Sequence, residues 1–257
     1  MRFVPHFLTI LTLGGLLNAC FSPQDSTWQR VLERGVLRVG TDASYPPFEY
    51  VDAEGQIVGF DADLLKAVGQ RLGVQVELVN ISYDGLYDSL ITAQVDLLAS
   101  ALIPMPQMEE KVSYSVPYFN AGQHLVVRVG SSVRTMRDME GRRLAVEYGS
   151  DGDAEARRWQ RRLAALTVIR YADPDAALQA VIEGEADAAL VDGISARLGV
   201  GQHPELAAAS AASDVLFVLV VSEDSPILLS KVNEALHEML RDGTVEALIE
   251  KWFGPQR

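Results

Sequence analysis

The stretch VLRVGTDASYPPFEY at residues 36–50 decides the fold, because it opens with a short apolar strand and continues with polar and aromatic residues. An amphipathic helix is predicted at residues 61–72, where leucine and valine recur at helical spacing, and a second strand at residues 74–81. A strand, a helix and a strand in this order are typical of a parallel sheet with helices packed on its faces. This part of the chain is therefore predicted to be α/β.

The same alternation of apolar strands and periodic helices continues along the rest of the chain. Strands are predicted at residues 95–100, 143–147, 168–171, 186–191 and 215–221, and helices at residues 87–94, 154–166, 174–183, 226–241 and 244–252. Two stretches are alike, LITAQVDLLAS at residues 90–100 and VIEGEADAALV at residues 181–191, because each joins a helix end, a polar break, an Asp and an apolar strand. This likeness favours two lobes of similar design over one continuous sheet.

Candidate binding residues follow from the position of the strand ends. Ligands of open α/β sheets bind in the crevice outside the carboxyl ends of the strands. That rule selects Thr41, Asp42, Ser100, Ala101, residues 148–151 and Asp192. These positions define a candidate site from the residues alone.

Composition limits the possible functions. The chain has 257 residues, with 22 Lys and Arg against 35 Asp and Glu, and a formal net charge of −13. A nucleic-acid-binding protein needs a basic face for the phosphates, so the acidic balance argues against that class. A single Cys excludes an internal disulfide framework and a metal site built from several Cys side chains. We expect neither a metal nor a cofactor.

The N-terminus has the pattern of an export signal. Residues 7–17 form an apolar run that is too short for a membrane-spanning helix, which needs about 20 residues. This run is typical of a signal peptide, predicted here at residues 1–19. The following LNAC at residues 17–20 resembles the bacterial lipobox, in which the Cys is lipidated and becomes the mature N-terminus. We therefore predict a lipid anchor on Cys20 and a tether at residues 20–35; the alternative is a plain secretory signal with an incidental Cys.

Several motifs give the chain a resemblance to a known family. They are TDASYPPFEY at residues 41–50, VGFDADL at residues 58–64, YDGL at residues 83–86, SVPY at residues 115–118 and KWFG at residues 251–254. Together they resemble the family 3 extracytoplasmic solute-binding proteins, the receptors of polar amino-acid ABC importers. The resemblance implies the type II periplasmic-binding-protein fold, an α/β architecture of two lobes, each with a mainly parallel sheet flanked by helices.

The resemblance also implies domain boundaries and site residues. Lobe 1 is expected at residues 36–121 and 219–257 and lobe 2 at residues 122–218, with crossing segments near residues 121–126 and 218–221. Proteins of this family hold the ligand between the lobes. Matched position by position, the ligand-binding residues are expected to be Asp42, Tyr45, Tyr83, Ser100, Ala101 and Ile103 in the first lobe and Ser150, Asp151 and Asp192 in the second.

One departure from the family pattern changes the expected ligand. The family's Thr or Ser and its Arg, which holds the ligand carboxylate, fall at Met105 and Met108, and a second Thr or Ser falls at Asp151. Loss of a guanidinium and gain of a carboxylate favour a cation over a zwitterion, because like charges repel and a buried unpaired carboxylate is costly. Met108 is therefore a candidate site residue. The alternatives are that both Met residues pack while Lys111 or an Arg from elsewhere holds the carboxylate, and that Asp151 and Asp153 cap a helix.

These features predict a binding protein rather than an enzyme. It is expected to act outside the cytoplasm, in the periplasm or at the cell surface, as a monomer that binds an amino acid or a related cationic amine and delivers it to an ABC permease. Tyr45, Tyr83, Tyr118 and Tyr148 are candidates for cation–π contacts. The alternative is a dehydratase-like enzyme on the same fold. It is disfavoured because the four His are not spaced as a metal or triad pair and the carboxylate anchor is missing.

Overall fold

The structure is a computed structural model, and it describes residues 26–254. The predicted signal peptide at residues 1–19 and the predicted lipidation site Cys20 lie outside the described residues. Between residues 26 and 254, no helix is both long enough and apolar enough to cross a membrane. This part of the chain folds into two lobes, each built on a five-stranded sheet.

The helices and strands follow one another along the chain in two blocks and a return. The first lobe contains α1 Ser26–Arg34, β1 Val36–Thr41, β2 Ser44–Tyr45, β3 Glu49–Val51, β4 Ile57–Val58, α2 Phe60–Leu72, β5 Gln75–Asn80, α3 Leu86–Ile91, β6 Leu97–Leu98 and β7 Val112–Tyr114, followed by the crossing strand β8 Phe119–Asn120. The second lobe contains β9 Gln123–Arg128, β10 Arg143–Glu147, α4 Asp151–Gln160, β11 Thr167–Tyr171, α5 Pro174–Glu183, β12 Ala188–Asp192, α6 Gly193–Gln202 and β13 Leu206–Ala211. The chain returns through the crossing strand β14 Leu216–Phe217 to β15 Val220–Ser222, α7 Pro226–Arg241 and α8 Thr244–Phe253.

The two lobes share one sheet design. The first sheet has the order β5-β1-β6-β15-β7, in which β5, β1 and β6 pair in parallel while β15 runs antiparallel to β6 and β7. The second sheet has the order β11-β10-β12-β9-β13, with β11, β10 and β12 parallel and β9 antiparallel to β12 and β13. The prediction of two mainly parallel α/β lobes is confirmed.

Two short antiparallel strands, β8 and β14, carry the chain between the lobes. They lie earlier in the chain than the expected crossings at residues 121–126 and 218–221. The reason is hydrogen bonding: β9 already pairs with strands of the second sheet, and β15 already pairs with strands of the first. The strand predicted at residues 215–221 is therefore two strands, one in the crossing and one in the first-lobe sheet.

Five phenylalanine rings hold the crossing strands in the first-lobe core. Phe119 of β8 and Phe217 of β14 stack with their ring centroids 5.7 Å apart. Phe48 meets these two rings edge-on at 5.0 and 5.3 Å, and Phe60 and Phe253 complete the cluster. All five side chains are buried. The crossing strands are therefore packed against the first lobe rather than being free linkers.

Gly59 allows the hairpin of β2, β3 and β4 to approach helix α2. Its φ of 135° lies in a region that side chains rarely adopt, and a Cβ at this position would lie 2.1 Å from the carbonyl oxygen of Phe48. The N–H groups of Phe60 and Asp61 donate to the carbonyl oxygens of Pro47 and Phe48 at 3.0 and 2.9 Å. These bonds satisfy free N–H groups in the first turn of α2 and fix β3 beside the helix.

Helix bounds are predicted best where the sequence carries caps. Helices α5 and α7 span the predicted residues 174–183 and 226–241. A Pro stands first in both helices, and the side chain of Asp173 accepts a hydrogen bond from the N–H of Ala176 at 2.7 Å. Helix α6 was not predicted, because its sequence GISARLGVGQ contains three glycines, which lower helix propensity.

Helix α4 differs from its predicted bounds of residues 154–166. It begins at Asp151 and ends at Gln160. The earlier start has a cap as its cause, since the Ser150 hydroxyl oxygen accepts a hydrogen bond from the N–H of Asp153 at 3.1 Å. Asp151 therefore lies in the first turn of the helix and not in the loop before it.

The tether predicted at residues 20–35 is wrong for residues 26–34, which form α1. Val31 of this helix is fully buried in the first-lobe core. The hydroxyl of Ser225 donates to that of Thr27 at 2.8 Å, which joins α1 to the start of α7. A helix with a buried face and a buried hydrogen bond belongs to the folded lobe, so any tether is confined to residues before 26.

Candidate functional site

A cleft between the two lobes is the candidate binding site. Its volume is about 610 Å³, within the range typical of small-molecule sites. It is lined by Asp42, Ser44, Tyr45, Glu49, Tyr83, Ser100, Ala101, Ile103, Ala121, Gln123, Asp151, Asp192, Ile194, Val215 and Phe217. Residues of both lobes and of the segments that cross between them thus contribute to one cavity.

Eight of the ten predicted site residues line this cleft: Asp42, Tyr45, Tyr83, Ser100, Ala101, Ile103, Asp151 and Asp192. The other two, Met108 and Ser150, do not line it. Met108 ends a short 3-10 turn and packs against a hydrophobic cluster of the first lobe. Ser150 is the N-terminal cap of α4. Ligand contact by the eight residues stays a prediction.

The first-lobe wall is organised around Asp42, which directly follows β1. Its Oδ2 accepts a hydrogen bond from the N–H of Tyr83 at 2.7 Å. Its own N–H donates to the hydroxyl oxygen of Ser100 at 3.1 Å. Asp42 therefore connects the ends of β1 and β6 with the loop after β5, and it also lines the cleft.

The second-lobe wall presents two carboxylates at helix N-termini. Asp192 caps α6: its Oδ1 accepts from the N–H groups of Ile194 and Ser195 at 2.9 and 3.0 Å, and its Oδ2 accepts from the Ser195 hydroxyl at 2.6 Å. Asp151 is the first residue of α4. Both acidic side chains therefore lie at the N-terminal ends of helices that border the cleft.

Asp151 and Asp153 lie two residues apart but have different environments, one exposed and the other buried. Asp153 is fully buried, and its carboxylate accepts from the N–H of Gly149 at 3.2 Å and pairs with Arg170 at 2.9 Å. Asp151 is exposed and lines the cleft, while Ser150 supplies the cap of α4. Asp151 therefore lines the cleft and also lies in the first turn of α4, where an acidic side chain complements the helix dipole, so the capping alternative stays open for it.

Two buried carboxyl groups lie at the first-lobe wall of the cleft, with Glu49 in its lining and Asp61 behind it. Each residue is 1% exposed. Glu49 Oε1 accepts from the Ser100 hydroxyl at 2.8 Å, and Asp61 Oδ2 accepts from the Tyr118 hydroxyl at 2.8 Å and from the N–H of Ala101 at 3.1 Å. Burial raises the pKa of Glu49, and the neighbouring Asp61 carboxyl raises it further. Burial also raises the pKa of Asp61.

Acidic groups dominate the charge of the cleft. Asp42, Glu49, Asp151 and Asp192 are among its lining residues, whereas none of the lining residues in the described chain is Lys, Arg or His. Lys111, the alternative carboxylate anchor, is not part of the lining. Within residues 26–254, no group of three or more His, Cys, Asp and Glu side chains is placed to hold a metal ion.

Tyrosine rings face the cleft at two of the four expected positions. Tyr45 stacks on Phe48 at 5.7 Å with an interplanar angle of 10°, and Tyr83 is 55% exposed; both line the cleft. Tyr118 is buried below the cleft, and Tyr148 is 74% exposed and does not line it. The expectation of ring contact is therefore wrong for Tyr118, whose ring is buried, and stays a prediction for Tyr148.

Three polar lining residues, Ser44, Glu49 and Gln123, were not predicted. Glu49 lies on β3, which belongs to a hairpin outside the main sheet, so the rule of strand ends does not select it. Gln123 begins β9, directly after the crossing. The position of Glu49 inside the TDASYPPFEY motif at residues 41–50 was the signal that could have identified it.

Two α/β lobes are joined by two crossing strands and enclose a cleft between them. This architecture defines a two-lobed binding protein. Residues 37–255 match the family model of bacterial extracellular solute-binding proteins, family 3. The chain is 30% identical over 252 residues to the L-cystine-binding protein TcyJ of Escherichia coli strain K12, covering 96% of this chain and 93% of that protein. The chain belongs to this family of solute-binding proteins.

Solved structures agree with this assignment. The L-cystine solute receptor of Neisseria gonorrhoeae in the unliganded open conformation matches with a TM-score of 0.75 and 25% identity, covering 88% of this chain and 96% of that one. A variant of an ancestral cyclohexadienyl dehydratase matches with a TM-score of 0.76 and 30% identity, covering 88% and 95%. The expected type II periplasmic-binding-protein fold is confirmed, and the chain acts outside the cytoplasm as a solute-binding protein.

Proposed function

We propose that this protein is the receptor of an ABC importer for a small cationic amine that lacks an α-carboxylate. The observation that carries the proposal is the lining of the cleft, which includes the acidic side chains of Asp42, Asp151 and Asp192 beside the buried carboxyl group of Glu49 and, among the described residues, no basic side chain. A related amino acid fits this cleft only if its carboxylate stays away from the second-lobe wall. The proposed ligand therefore resembles an amino acid in its cationic amine group but lacks the α-carboxylate.

Electrostatic repulsion supports this choice. A ligand carboxylate held by the second lobe would lie near Asp151, where no Lys or Arg of the cleft lining offsets its charge. Two unit charges of the same sign about 4 Å apart repel by about 4 kcal/mol at an effective dielectric constant of 20. An ammonium or guanidinium group in the same place gains attraction of similar size.

The aromatic side chains of the first lobe support the same ligand. Tyr45 and Tyr83 line the cleft, and both are about half exposed. A cation over such a ring gains about 0.5–2 kcal/mol, depending on how far it is desolvated. A ligand amine between these rings and Asp192 would contact both lobes at once, with Asp192 binding the cation.

Binding to both lobes gives a mechanism of closure. A ligand that contacts both walls only when the lobes are closed stabilises the closed state by its difference in affinity for the two states. The likeness to a receptor in its unliganded open conformation is consistent with a cleft wide enough to admit a solute. Closure then presents a loaded receptor to the permease.

We extend the proposal to the N-terminus, where Cys20 is the predicted lipid anchor of a monomeric receptor. In a bacterial host, the Cys20→Ala variant is expected to leave the membrane fraction, and labelled palmitate is expected to be lost with it. Continued membrane association of this variant would favour a plain secretory signal with a different mode of attachment.

A dehydratase reaction is not proposed. The ancestral dehydratase shares the fold, but the relative TcyJ is named as a binding protein. A carboxylate-bearing substrate would meet the same acidic cleft as an amino acid, without a basic side chain in its described lining. A shared fold does not imply a shared reaction, and the chemistry of the cleft decides the function.

Mass spectrometry of the protein purified without denaturation tests the ligand directly. The expected bound species is a low-molecular-mass amine with a net positive charge and no carboxyl group. A neutral or zwitterionic amino acid as the main bound species would contradict the proposal. Buffer exchange into ammonium acetate, with the Asp192→Asn variant as a matched control, separates specific from carried-over species.

A further inference from the structure

Glu49 and Asp61 form a pair of buried carboxyl groups in the first lobe. Glu49 Oε2 and Asp61 Oδ1 are both buried, and neither has a hydrogen-bond partner among the described residues. The second oxygen of each carboxyl is already used, by Ser100 for Glu49 and by Tyr118 and Ala101 for Asp61. The two carboxyl groups are within hydrogen-bonding reach of each other, and such a bond needs one hydrogen atom between them, because ionised carboxylates only accept hydrogen bonds.

The groups that face the pair make two negative charges unfavourable. They are the hydroxyls of Ser100 and Tyr118, the N–H of Ala101, and the carboxylate of Asp42. The pKa of the nearby Tyr45 hydroxyl is raised by burial, by the charge of Asp192 and by the charge of Glu49. In the described chain, the interactions that shift the two carboxyls include no Lys, Arg or His. Like charges in one buried site cannot both be ionised without an offsetting cation, so the pair keeps a proton.

The pair is also connected to the ligand cavity. Glu49 lines the cleft, whereas Asp61 lies behind it. The N–H of Asp42 donates to the Ser100 oxygen at 3.1 Å, and the Ser100 hydroxyl donates to Glu49 at 2.8 Å. Two hydrogen bonds through Ser100 thus connect Asp42 to Glu49. A charged ligand group beside Asp42 would therefore interact electrostatically with the Glu49 carboxyl.

We propose that Glu49 and Asp61 share one proton in the ligand-free protein, and that a cation bound against Glu49 displaces it. The O–H bond of the Glu49 carboxyl breaks, the proton passes to solvent, and the carboxylate that remains pairs with the ligand cation. No other reactant is needed. Glu49 is then a residue that determines specificity, because it offers a negative charge only to a ligand that supplies a positive one. This inference rests on the proposed cationic ligand.

Calorimetry measures the displaced proton. Agmatine is titrated into the protein in phosphate and in Tris, two buffers with different enthalpies of ionisation, between pH 6 and pH 9. The expected result is net release of a fraction of one proton per agmatine, together with an affinity that rises with pH by up to about tenfold per pH unit. Binding without proton release would overturn the inference while leaving the proposed ligand class intact.

Two variants sharpen this measurement. Glu49→Gln keeps the size of the side chain but cannot release a proton, so its agmatine binding is expected to be free of buffer-dependent heat. Asp192→Asn is expected to weaken agmatine binding while leaving the number of protons released at saturation unchanged. Equal proton release by the wild type and Glu49→Gln would overturn the assignment to Glu49.

Infrared spectroscopy of the ligand-free protein tests the shared proton without any ligand. With ¹³C-labelled glutamate, the wild type is expected to show an isotope-shifted band of a protonated carboxyl that Glu49→Gln lacks, and agmatine is expected to reduce it. An ionised Glu49 in the free protein at neutral pH would overturn the inference. If agmatine and other amines fail to bind, the proposed function fails, and this band still decides whether the proton is shared.

Discussion

The two sides of the cleft treat their carboxyl groups in opposite ways. On the second-lobe wall, Asp151 and Asp192 stand at helix N-termini beside the cleft, and Asp192 accepts hydrogen bonds from two N–H groups of α6. Below the first-lobe wall, Glu49 and Asp61 are buried together and their charge is disfavoured. The difference teaches that the number of acidic residues in a cleft does not determine its charge. The environment of each carboxyl decides whether it attracts a cation permanently or only on binding.

The largest expected effect comes from disrupting the first-lobe side. Gly59→Ala places a Cβ 2.1 Å from the Phe48 carbonyl oxygen at a φ of 135°, and it thereby pushes β3 and Glu49 away from α2. We expect a loss of about 3 kcal/mol or more in the free energy of unfolding. Urea denaturation measures it. Gly55→Ala is the matched control, because its φ is 79° and nothing lies within 4 Å of its Cβ; its cost is expected to be about 1 kcal/mol.

The next largest effect is expected when the acidic side chain of Asp192 is removed from the second-lobe side. Asn caps helices about as well as Asp, so Asp192→Asn is expected to fold normally. Its affinity for agmatine is expected to fall about 10- to 100-fold, or about 1.4–2.8 kcal/mol, by calorimetry. Asp173→Asn is the control, since Asp173 caps α5 in the same way and does not line the cleft. An unchanged affinity in Asp192→Asn would show that this wall does not bind the amine.

A third effect concerns the buried Glu49 carboxyl of the first lobe, whose contribution to the free energy of unfolding depends on pH. The unfolded chain releases the Glu49 proton above an ordinary pKa of 4.5, whereas burial raises the pKa in the folded protein to about 10. The folded state therefore binds more protons than the unfolded state in this range, and stability falls as pH rises. Between about pH 5 and pH 6.5, we expect the wild type to lose about 2 kcal/mol more than Glu49→Gln.

Thermal or urea unfolding across this pH range measures the difference. Glu54→Gln is the matched control, because Glu54 is exposed in the same hairpin as Glu49. Its pH dependence is expected to follow the wild type. A Glu49→Gln variant with the wild-type slope would mean that Glu49 is ionised in the folded protein, and the contrast between the two sides of the cleft would disappear.

The smallest effect tests the role of Asp151 in rejecting a carboxylate. Asp151→Thr removes one negative charge at the start of α4, where Ser150 continues to cap the helix. We expect the affinity for L-arginine to increase about 3- to 10-fold relative to that for agmatine, which is about 1 kcal/mol. Competition between the two ligands in one titration measures this ratio. An unchanged ratio would remove Asp151 from the basis of selectivity.

Much of the site could be predicted from the sequence, because strand ends are visible as the last apolar residue of a run. Asp42, Ser100 and Asp192 were found in this way, and the structure brings all three to the cleft. Glu49 was missed because it reaches the cleft through a hairpin that folds back onto α2 by way of Gly59. A tertiary approach of this kind leaves no periodic signal in the sequence.

The two predicted residues that do not line the cleft show the same limit. Met108 was placed at the site by correspondence with a family position, whereas the chain there forms a short 3-10 turn whose Met packs into the first lobe. Ser150 was placed in the site and instead caps α4. Correspondence along the sequence locates a backbone position, but local hydrogen bonds and packing decide where its side chain points.

Calorimetric titration with agmatine and L-arginine, at equal pH and ionic strength, is the most direct test of the central claim. The two ligands carry the same guanidinium group and differ in the α-carboxylate. The acidic cleft predicts that agmatine binds at least about tenfold more tightly than L-arginine, or about 1.4 kcal/mol. Equal affinities, or tighter binding of L-arginine, would show that the protein holds a ligand carboxylate after all and would contradict the account.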